Sequence, residues 1–299
     1  MEKIKVTFLG TSDAIPTKKR NHTSILASFA NENILIDCGE GTQRQFKTAR
    51  ISPHKITRIL ITHWHGDHIL GLPGLFQTLA MQDYKKTLKI YGPKGTKKFI
   101  SIIEKFLAGY NKIKIEIHEV FGKFIDKKNF YIETKPMKHN RPTNAYSIVL
   151  KDKIRLNKAK LSKLKLPHGP HFKKLQQGKN IAYKGKKIKA KSVTYTEKGK
   201  KLTVVLDTAM NTNAINLAKN SNLLITESNF SEKDKEKAKE RYHLTAAEAA
   251  TIAKKSKSKQ LILTHISQRY EANLTLIKDE AKKVFKNTKI AKDFDTFSI

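Results

Sequence analysis

Thr62-His63-Trp64-His65-Gly66-Asp67-His68, running on through Ile69-Leu70 into Gly71-Leu72-Pro73-Gly74, is the stretch on which the reading of this chain turns. It follows Arg58-Ile59-Leu60-Ile61, a short apolar β-branched run with the character of a buried strand. Beyond it, residues 70–79 carry apolar side chains at helical spacing, with Gly71 and Gly74 at the entrance. The spacing predicts a tight loop at the carboxyl end of a strand, where scaffolds commonly present functional groups. His63 and His65 alternate, so an extended backbone aims both the same way. Asp67 and His68 are adjacent and turn to different sides, which suits two neighbouring ions better than one. Imidazole nitrogens with a carboxylate are a ligand set for zinc or a similar divalent ion. A loop that is merely polar has no reason to hold these residue types at this spacing directly after a strand.

Three further ligand-type residues stand just after apolar runs: His139 after 132–137, Asp207 after 202–206, and His265 after 261–263. One histidine after a strand is more often structural than ligating. Repetition changes that, because strand ends in a layered sheet converge on one edge. On this reading His63, His65 and His139 hold one ion, while Asp67, His68 and His265 hold a second. Asp207, with two carboxylate oxygens, is the natural bridge. A pair of ions so held polarises a phosphoryl group and lowers the pKa of a shared water. Asp37-Cys38-Gly39-Glu40-Gly41-Thr42, after a strand at 33–37, fits either a loop supporting the metal or a plain turn. Local sequence does not choose between them.

The chain has 299 residues, enough to bury a large core in one big domain or two small ones. Lys and Arg number 60 against 26 Asp and Glu, a net charge of +34. That excess points to a polyanionic partner, nucleic acid before anionic membrane, or to a proteome generally rich in lysine. Cys38 is the one cysteine, which excludes an intramolecular disulfide and fits a reducing compartment. Residues 1–6 enter a strand pattern without a signal-peptide core, and no run is long and apolar enough to span a bilayer. A cytoplasmic protein without a membrane partner is expected.

The first half alternates strands (5–9, 24–29, 33–37, 89–91, 113–120, 130–137) with helices. One of these, at 96–107, is expected to present Phe99, Ile102, Ile103 and Leu107 on one face. Residues 151–201 differ, with only Asp152 and Glu197 acidic amid many lysines. Pro and Gly near 167–170 are expected to interrupt regular structure there, and the segment reads as an insertion projecting from the fold. The second half is βαβα-like, with strands at 202–206, 223–226 and 261–264 and helices at 214–219 and 274–285. Between them a Thr245–Glu248 capping box opens a helix over 246–254.

Residues 62–73 resemble the signature of the metallo-β-lactamase superfamily. Other stretches narrow the likeness to the ribonuclease Z family of tRNA 3′-processing endonucleases. These are Pro16-Thr17-Lys18-Lys19-Arg20-Asn21, Asp37-Cys38-Gly39-Glu40-Gly41-Thr42-Gln43-Arg44-Gln45, Lys138-His139 and Asp207-Thr208. They continue with His243-Leu244-Thr245, Thr264-His265-Ile266-Ser267-Gln268-Arg269-Tyr270 and Ala291-Lys292-Asp293-Phe294, so the likeness covers essentially the whole chain. It implies one α/β domain over 1–299, a four-layer αββα sandwich with a dinuclear zinc site on one edge of its sheets. Other divalent ions such as Mn2+ suit the same ligands. It also implies a homodimer and a cut in precursor tRNA that leaves a 3′-hydroxyl. In such a family member the residue matching Asp67 is also the general base, and those matching Glu227 and His243 form the pair that protonates the leaving oxygen. Ser267 and Arg269 match residues near the bound phosphate or acceptor end. Gly169-Pro170-His171-Phe172-Lys173-Lys174-Leu175, within 151–201, is similar to the family's projecting tRNA clamp. Gly169, Pro170, Lys173 and Lys174 are therefore expected at the RNA, the lysines meeting phosphates without reading bases. The chain departs from the pattern at Ala145 and Leu206, where glycine is usual, and at Thr226, where histidine is usual; none of these removes a ligand. The alternative is a hydrolase of the same fold acting on small phosphodiesters or other RNA 3′ ends. Such an enzyme has no reason for the Gly-Pro arm or the lysine excess. A non-enzymatic RNA binder is disfavoured by the intact ligand positions.

Overall fold

A computed structural model describes residues 2–107 and 113–299, so of the expected elements only Met1 of the N-terminal segment lies outside it. The apolar runs pair into two seven-stranded sheets. The first has the spatial order Thr296–Ser298, Lys5–Gly10, Ser24–Phe29, Glu32–Ile36, Arg58–Leu60, Thr87–Gly92, Lys114–Glu119. The second runs Thr288–Ile290, Leu261–Thr264, Leu223–Glu227, Lys201–Val205, Asn144–Leu150, Phe130–Pro136, Gly122–Asp126. Each has a parallel half: Glu32–Ile36 through Lys114–Glu119 in one, Lys201–Val205 through Thr288–Ile290 in the other. Parallel strands present their carboxyl ends along one edge, which is where such sheets place ligands.

Strands covered on both faces read as unbroken apolar runs, and their side chains divide by alternation. Ile34 and Ile36 face the space between the sheets, where Val6, Phe8 and Ile25 meet Ile132, Tyr146, Ile148, Val204 and Ile225. Leu35 faces the other way, onto Phe46, Leu75, Phe76, Leu79 and Ile100. Those come from the helices Thr42–Thr48, Leu72–Met81 and Thr96–Phe106. Likewise Ile225 points inward while Leu224 packs outward on Ala214, Leu217, Ala249, Ala250, Ile252 and Ile277. Their helices are Thr212–Ala218, Ala246–Lys255 and Leu274–Val284. The result is the four-layer αββα sandwich. Helix Ala246–Lys255 starts on the expected capping box, Thr245 Oγ1 accepting from Glu248 N at 3.2 Å and Thr245 N donating to the Glu248 carboxylate at 3.0 Å.

Three local expectations are corrected. On Thr96–Phe106 the covered face is Thr96, Phe99, Ile100 and Ile103, followed by Leu107, whereas Ile102 is 52% exposed. At about 100° per residue Ile102 lies some 200° from Ile100, on the far side. Gly66–Ile69 forms a single helical turn, so Asp67 and His68 sit on a turn of helix rather than in an open loop. Pro170 opens a helix, Pro170–Gln176, instead of breaking structure, because the first helical position needs no N–H.

Between 151 and 201, Lys153–Leu156 and Thr194–Glu197 pair as an antiparallel ribbon following the paired strands Asn144–Leu150 and Lys201–Val205. The ribbon carries the helices Lys158–Lys163, Pro170–Gln176 and Ala190–Val193 and the hairpin Ile181–Tyr183 with Lys186–Ile188. Leu161, Leu166, Leu175, Ile181, Ile188, Ala190 and Val193 bury one another in a cluster separate from the sandwich. Lys153 is ion-paired with Glu2 at the ribbon's base. Among the described residues, no helix is long and apolar enough to cross a membrane.

The sheets are stitched together beside the histidine stretch. Tyr146 Oη donates to the Ile61 carbonyl at 2.6 Å, and Asn144 N donates to the Thr62 carbonyl at 2.8 Å. Tyr146→Phe keeps the ring but takes the buried donor from Ile61. It is expected to lower unfolding free energy in urea by roughly 1–3 kcal/mol, the cost of an unmet buried acceptor. An unchanged urea midpoint would show that the stitch contributes nothing.

Candidate metal centre

The expected ligands come from strand ends of both sheets. His63 and His65 follow Arg58–Leu60, with Asp67 and His68 on the helical turn behind them. His139 follows Phe130–Pro136, Asp207 follows Lys201–Val205, and His265 follows Leu261–Thr264. Asp37 (φ 56°), Asp207 (φ 33°) and His265 (φ 52°), each within two residues of a strand end, hold left-handed backbone. Non-glycine residues rarely adopt it, and such strain collects at functional sites.

Two nitrogen-rich sets result. His63 Nε2 and His139 Nε2 lie 2.9 and 3.2 Å from His65 Nδ1, with Asp207 Oδ2 3.5 Å from His63 and 3.9 Å from His139. On the other side Asp67 Oδ2 is 3.2 Å from His68 Nε2 and 3.3 Å from His265 Nε2. Asp207 Oδ1 is 3.4 and 3.2 Å from the same two nitrogens. Asp207 thus faces one set with each oxygen, and its Oδ1 is buried without a hydrogen-bond partner. Converging nitrogens at these separations and an unmatched carboxylate oxygen fit a cation.

The far side of three of these rings, His63, His68 and His139, is anchored. His68 Nδ1 donates to Asp37 Oδ2 at 2.7 Å, and His139 Nδ1 to the Tyr242 carbonyl at 3.2 Å. Thr62 Oγ1 gives its proton to Asp37 Oδ2 at 2.6 Å and accepts from His63 Nδ1 at 3.1 Å. Such partners fix the tautomer, leaving Nε2 with a lone pair for a metal. Trp64, between the two histidines, donates Nε1–H to Thr96 Oγ1 at 3.0 Å and stacks on Phe99, which pins the stretch to a helix. The segment after Asp37 is a supporting loop rather than a plain turn. A Cβ at Gly39 would meet the Asp67 carbonyl at 2.4 Å, and one at Gly71 would meet the Gly39 carbonyl at 2.1 Å, so only glycine allows these backbones to touch.

Electrostatics divide the sets. Burial, with the imidazolium of His68 beside it, pushes His63 well below the usual histidine range, and burial pushes His65 down to about 4. Burial also opposes charge on His68 and His265, but Asp67, Asp207 and Asp37 outweigh it for His68, and Asp207 and Asp67 for His265. His68 rises well above its ordinary value and His265 to about 9. Burial would raise Asp67 and Asp207, but the imidazoles around them hold both well below the usual carboxylate range. A metal binding at the second set must therefore compete with protons for His68 and His265.

The set opens into a cleft of ≈ 500 Å³ also lined by Ala14, Asn140, Arg241, Tyr242 and His243. His243 Nδ1 donates to Glu227 Oε2 at 2.9 Å, while Glu227 Oε1 accepts from Thr208 N at 2.6 Å. Burial lowers the His243 pKa, but Glu227 and Asp207 carry it above its ordinary value. Ser267 and Arg269 do not line the cleft: Ser267 is buried, and the Arg269 guanidinium lies over the Phe230 ring at 4.9 Å. Gly169 caps the arm helix, Pro170 begins it, and Lys173 and Lys174 lie exposed on it. A hollow of ≈ 590 Å³ within the arm, lined by Arg155, His168, Phe172 and Tyr195 among others, shares no residue with the metal set. Ala145 and Leu206 are simply buried, while Thr226 leaves its buried Oγ1 without a partner.

Asp37→Ala is expected to weaken divalent-ion binding about 10- to 100-fold, the usual effect of losing such a partner. Competition against a chromogenic chelator measures it; unaltered affinity would restrict Asp37 to a role in folding.

The family model of anti-Pycsar protein Apyc1 matches residues 4–289. Ribonuclease Z of Nanoarchaeum equitans is 42% identical over 270 residues, covering 90% of this chain and 85% of the relative. Ribonuclease Z of Methanothermobacter thermautotrophicus is 40% identical over 298 residues, covering 99% and 97%. Human tRNase Z, short form, superposes with a TM-score of 0.71 at 26% identity and 98% coverage of both chains. The metallo-β-lactamase fold protein YhfI from Bacillus subtilis, at 19% identity and a TM-score of 0.72, shares the fold. With converging ligands on a metallo-β-lactamase fold and near-complete alignment to these relatives, the chain belongs to the ribonuclease Z family.

Proposed function

We propose that this chain is a zinc-dependent endoribonuclease that removes the 3′ trailer from precursor tRNA and leaves a 3′-hydroxyl. The observation that carries it is Asp207, one carboxylate turned toward two nitrogen-rich sets with a buried oxygen otherwise unmatched. His63, His65 and His139 would hold one ion and Asp67, His68 and His265 the other, with Asp207 facing both sets. Two ions bound there supply Lewis acidity at the phosphoryl group and make water nucleophilic near neutral pH. Mn2+ suits the same donors.

Asp67, with 10% of its side chain exposed against 3% for Asp207, is the carboxylate within reach of solvent, and it takes the proton of the attacking water. As the water oxygen bonds to phosphorus, the bond to the 3′-oxygen of the tRNA breaks. His243, held by Glu227, whose charge favours its protonated form, gives its proton to that departing oxygen. The trailer keeps the phosphate. Lysines of the 151–201 insertion, Lys173 and Lys174 among them on the helix that Gly169 and Pro170 begin, grip the RNA backbone through charge. Arg269, exposed beyond the cleft, meets a phosphate there, with Ser267 near it at the acceptor end. The family resemblance supports a homodimer, and the lone Cys38 suits the reducing cytoplasm. Mapping the cut in a 3′-extended tRNA transcript tests the reading.

His243→Ala is expected to keep the ion content and slow cleavage by roughly two to four orders of magnitude, the scale of a lost acid–base group. Since His243 also lies within ligand distance of Asp207 and His265, loss of ions in this variant would reassign it as a ligand.

Asn157 N donates to the Val193 carbonyl at 2.8 Å, so replacing residues 158–192 by a short glycine link closes the ribbon and removes nearly all of the arm's own cluster. The sandwich is expected to stay folded. Binding of precursor tRNA is expected to weaken, with a shallower dependence of affinity on salt. Hydrolysis of a small nitrophenyl diester is expected to survive. Unchanged tRNA cleavage and salt dependence would favour the rival reading, an enzyme of small phosphodiesters or other RNA 3′ ends.

A further inference from the structure

The helix Lys235–Glu240 stops at Arg241, followed by Tyr242 and the proton donor His243. His243 N donates to the Ala238 carbonyl at 2.8 Å and Tyr242 N to the Lys239 carbonyl at 3.3 Å, the two bonds of a Schellman close. The residue at the turning point of that motif is usually glycine, because it must be left-handed. Here it is Tyr242, with φ 58°, a conformation unfavourable for a bulky side chain.

The fold makes no visible use of the ring. Tyr242 is 39% exposed and belongs to none of the apolar clusters, and its hydroxyl has no hydrogen-bond partner among the described residues. What the centre takes from this residue is its carbonyl, which accepts from His139 Nδ1, and any amino acid supplies a carbonyl. Tyr242 instead lines the metal cleft, beside Asn140, Arg241 and His243. A strained aromatic is thus kept at the mouth of the site, adjacent in sequence to the group that protonates the leaving oxygen.

We propose that Tyr242 is a specificity residue whose ring stacks on the unpaired nucleobase next to the scissile phosphodiester. The proposal rests on the reading of the chain as an RNA-cutting enzyme. Stacking suits this place because every base has a π-face, so a ring can seat whichever nucleotide flanks the cut without reading its identity. It also requires that nucleotide to be unstacked from a helix, and so favours cutting at a single-stranded extension.

The test compares wild type, Tyr242→Gly and Tyr242→Phe on a 3′-extended RNA, with and without an abasic residue on either side of the cut. Tyr242→Gly is expected to melt at a higher temperature, because glycine adopts this backbone freely. Its KM should rise roughly 5- to 100-fold, the usual loss for one stacked base, with kcat changed less. Tyr242→Phe should match wild type. The abasic residue should raise KM for wild type and Tyr242→Phe but not for Tyr242→Gly. A wild-type KM in Tyr242→Gly, or an equal abasic effect in all three proteins, overturns the stacking role while leaving the RNA-cutting reading intact. A wild-type chain that cuts none of these RNAs overturns both.

Discussion

A buried carboxylate must have positive charge or donors around it, and Asp207 has them from two directions. His63 and His68 reach it from the first sheet, and His265 from the second, with His139 a little farther off. The centre is therefore the place where the two sheets are electrostatically committed to each other. Other features serve that commitment: Tyr146 and Asn144 stitch the sheets beside it, and Asp37 holds both Thr62 and His68. The glycines that let the Asp37 loop touch the ligand turn serve it too.

Much of this arrangement is legible in the sequence because the signals are local. A His-x-His-x-Asp-His spacing after an apolar run states the residue types, their alternation and their position at a strand end within seven residues. Single ligands at 139, 207 and 265 are legible only through repetition, since each alone is ambiguous. The sandwich follows from unbroken apolar strands alternating with capped helices, and the capping box at Thr245 is readable to the residue.

What stays hidden depends on contacts between distant segments or on the exact phase of a helix. The role of Asp37 rests on a left-handed φ and on backbone touching backbone between Gly39 and Gly71, neither of which has a sequence signature. Ile102 looks apolar in a helical window, but the helix turns it away from the sheet. Pro170 reads as a breaker until the chain is seen to use it as a first helical residue. The insertion conceals its core because its apolar residues are widely spaced among lysines and come together only when three short helices and a hairpin close on one another. Ser267 and Arg269 follow His265 closely in sequence, yet the turn Gln268–Tyr270 carries the chain away from the cleft.

The order in which the chain is made gives the split origin of the ligands a temporal meaning. A nascent chain that has emerged only to residue 206 carries four of the candidate ligand histidines and Asp67, but neither Asp207 nor His265. The edge strand Thr296–Ser298 pairs back onto Lys5–Thr7, joining strands far apart in sequence. Contacts of such long sequence separation form late and slowly. A chain that has emerged only that far is thus unable to bring the two halves of the candidate centre together.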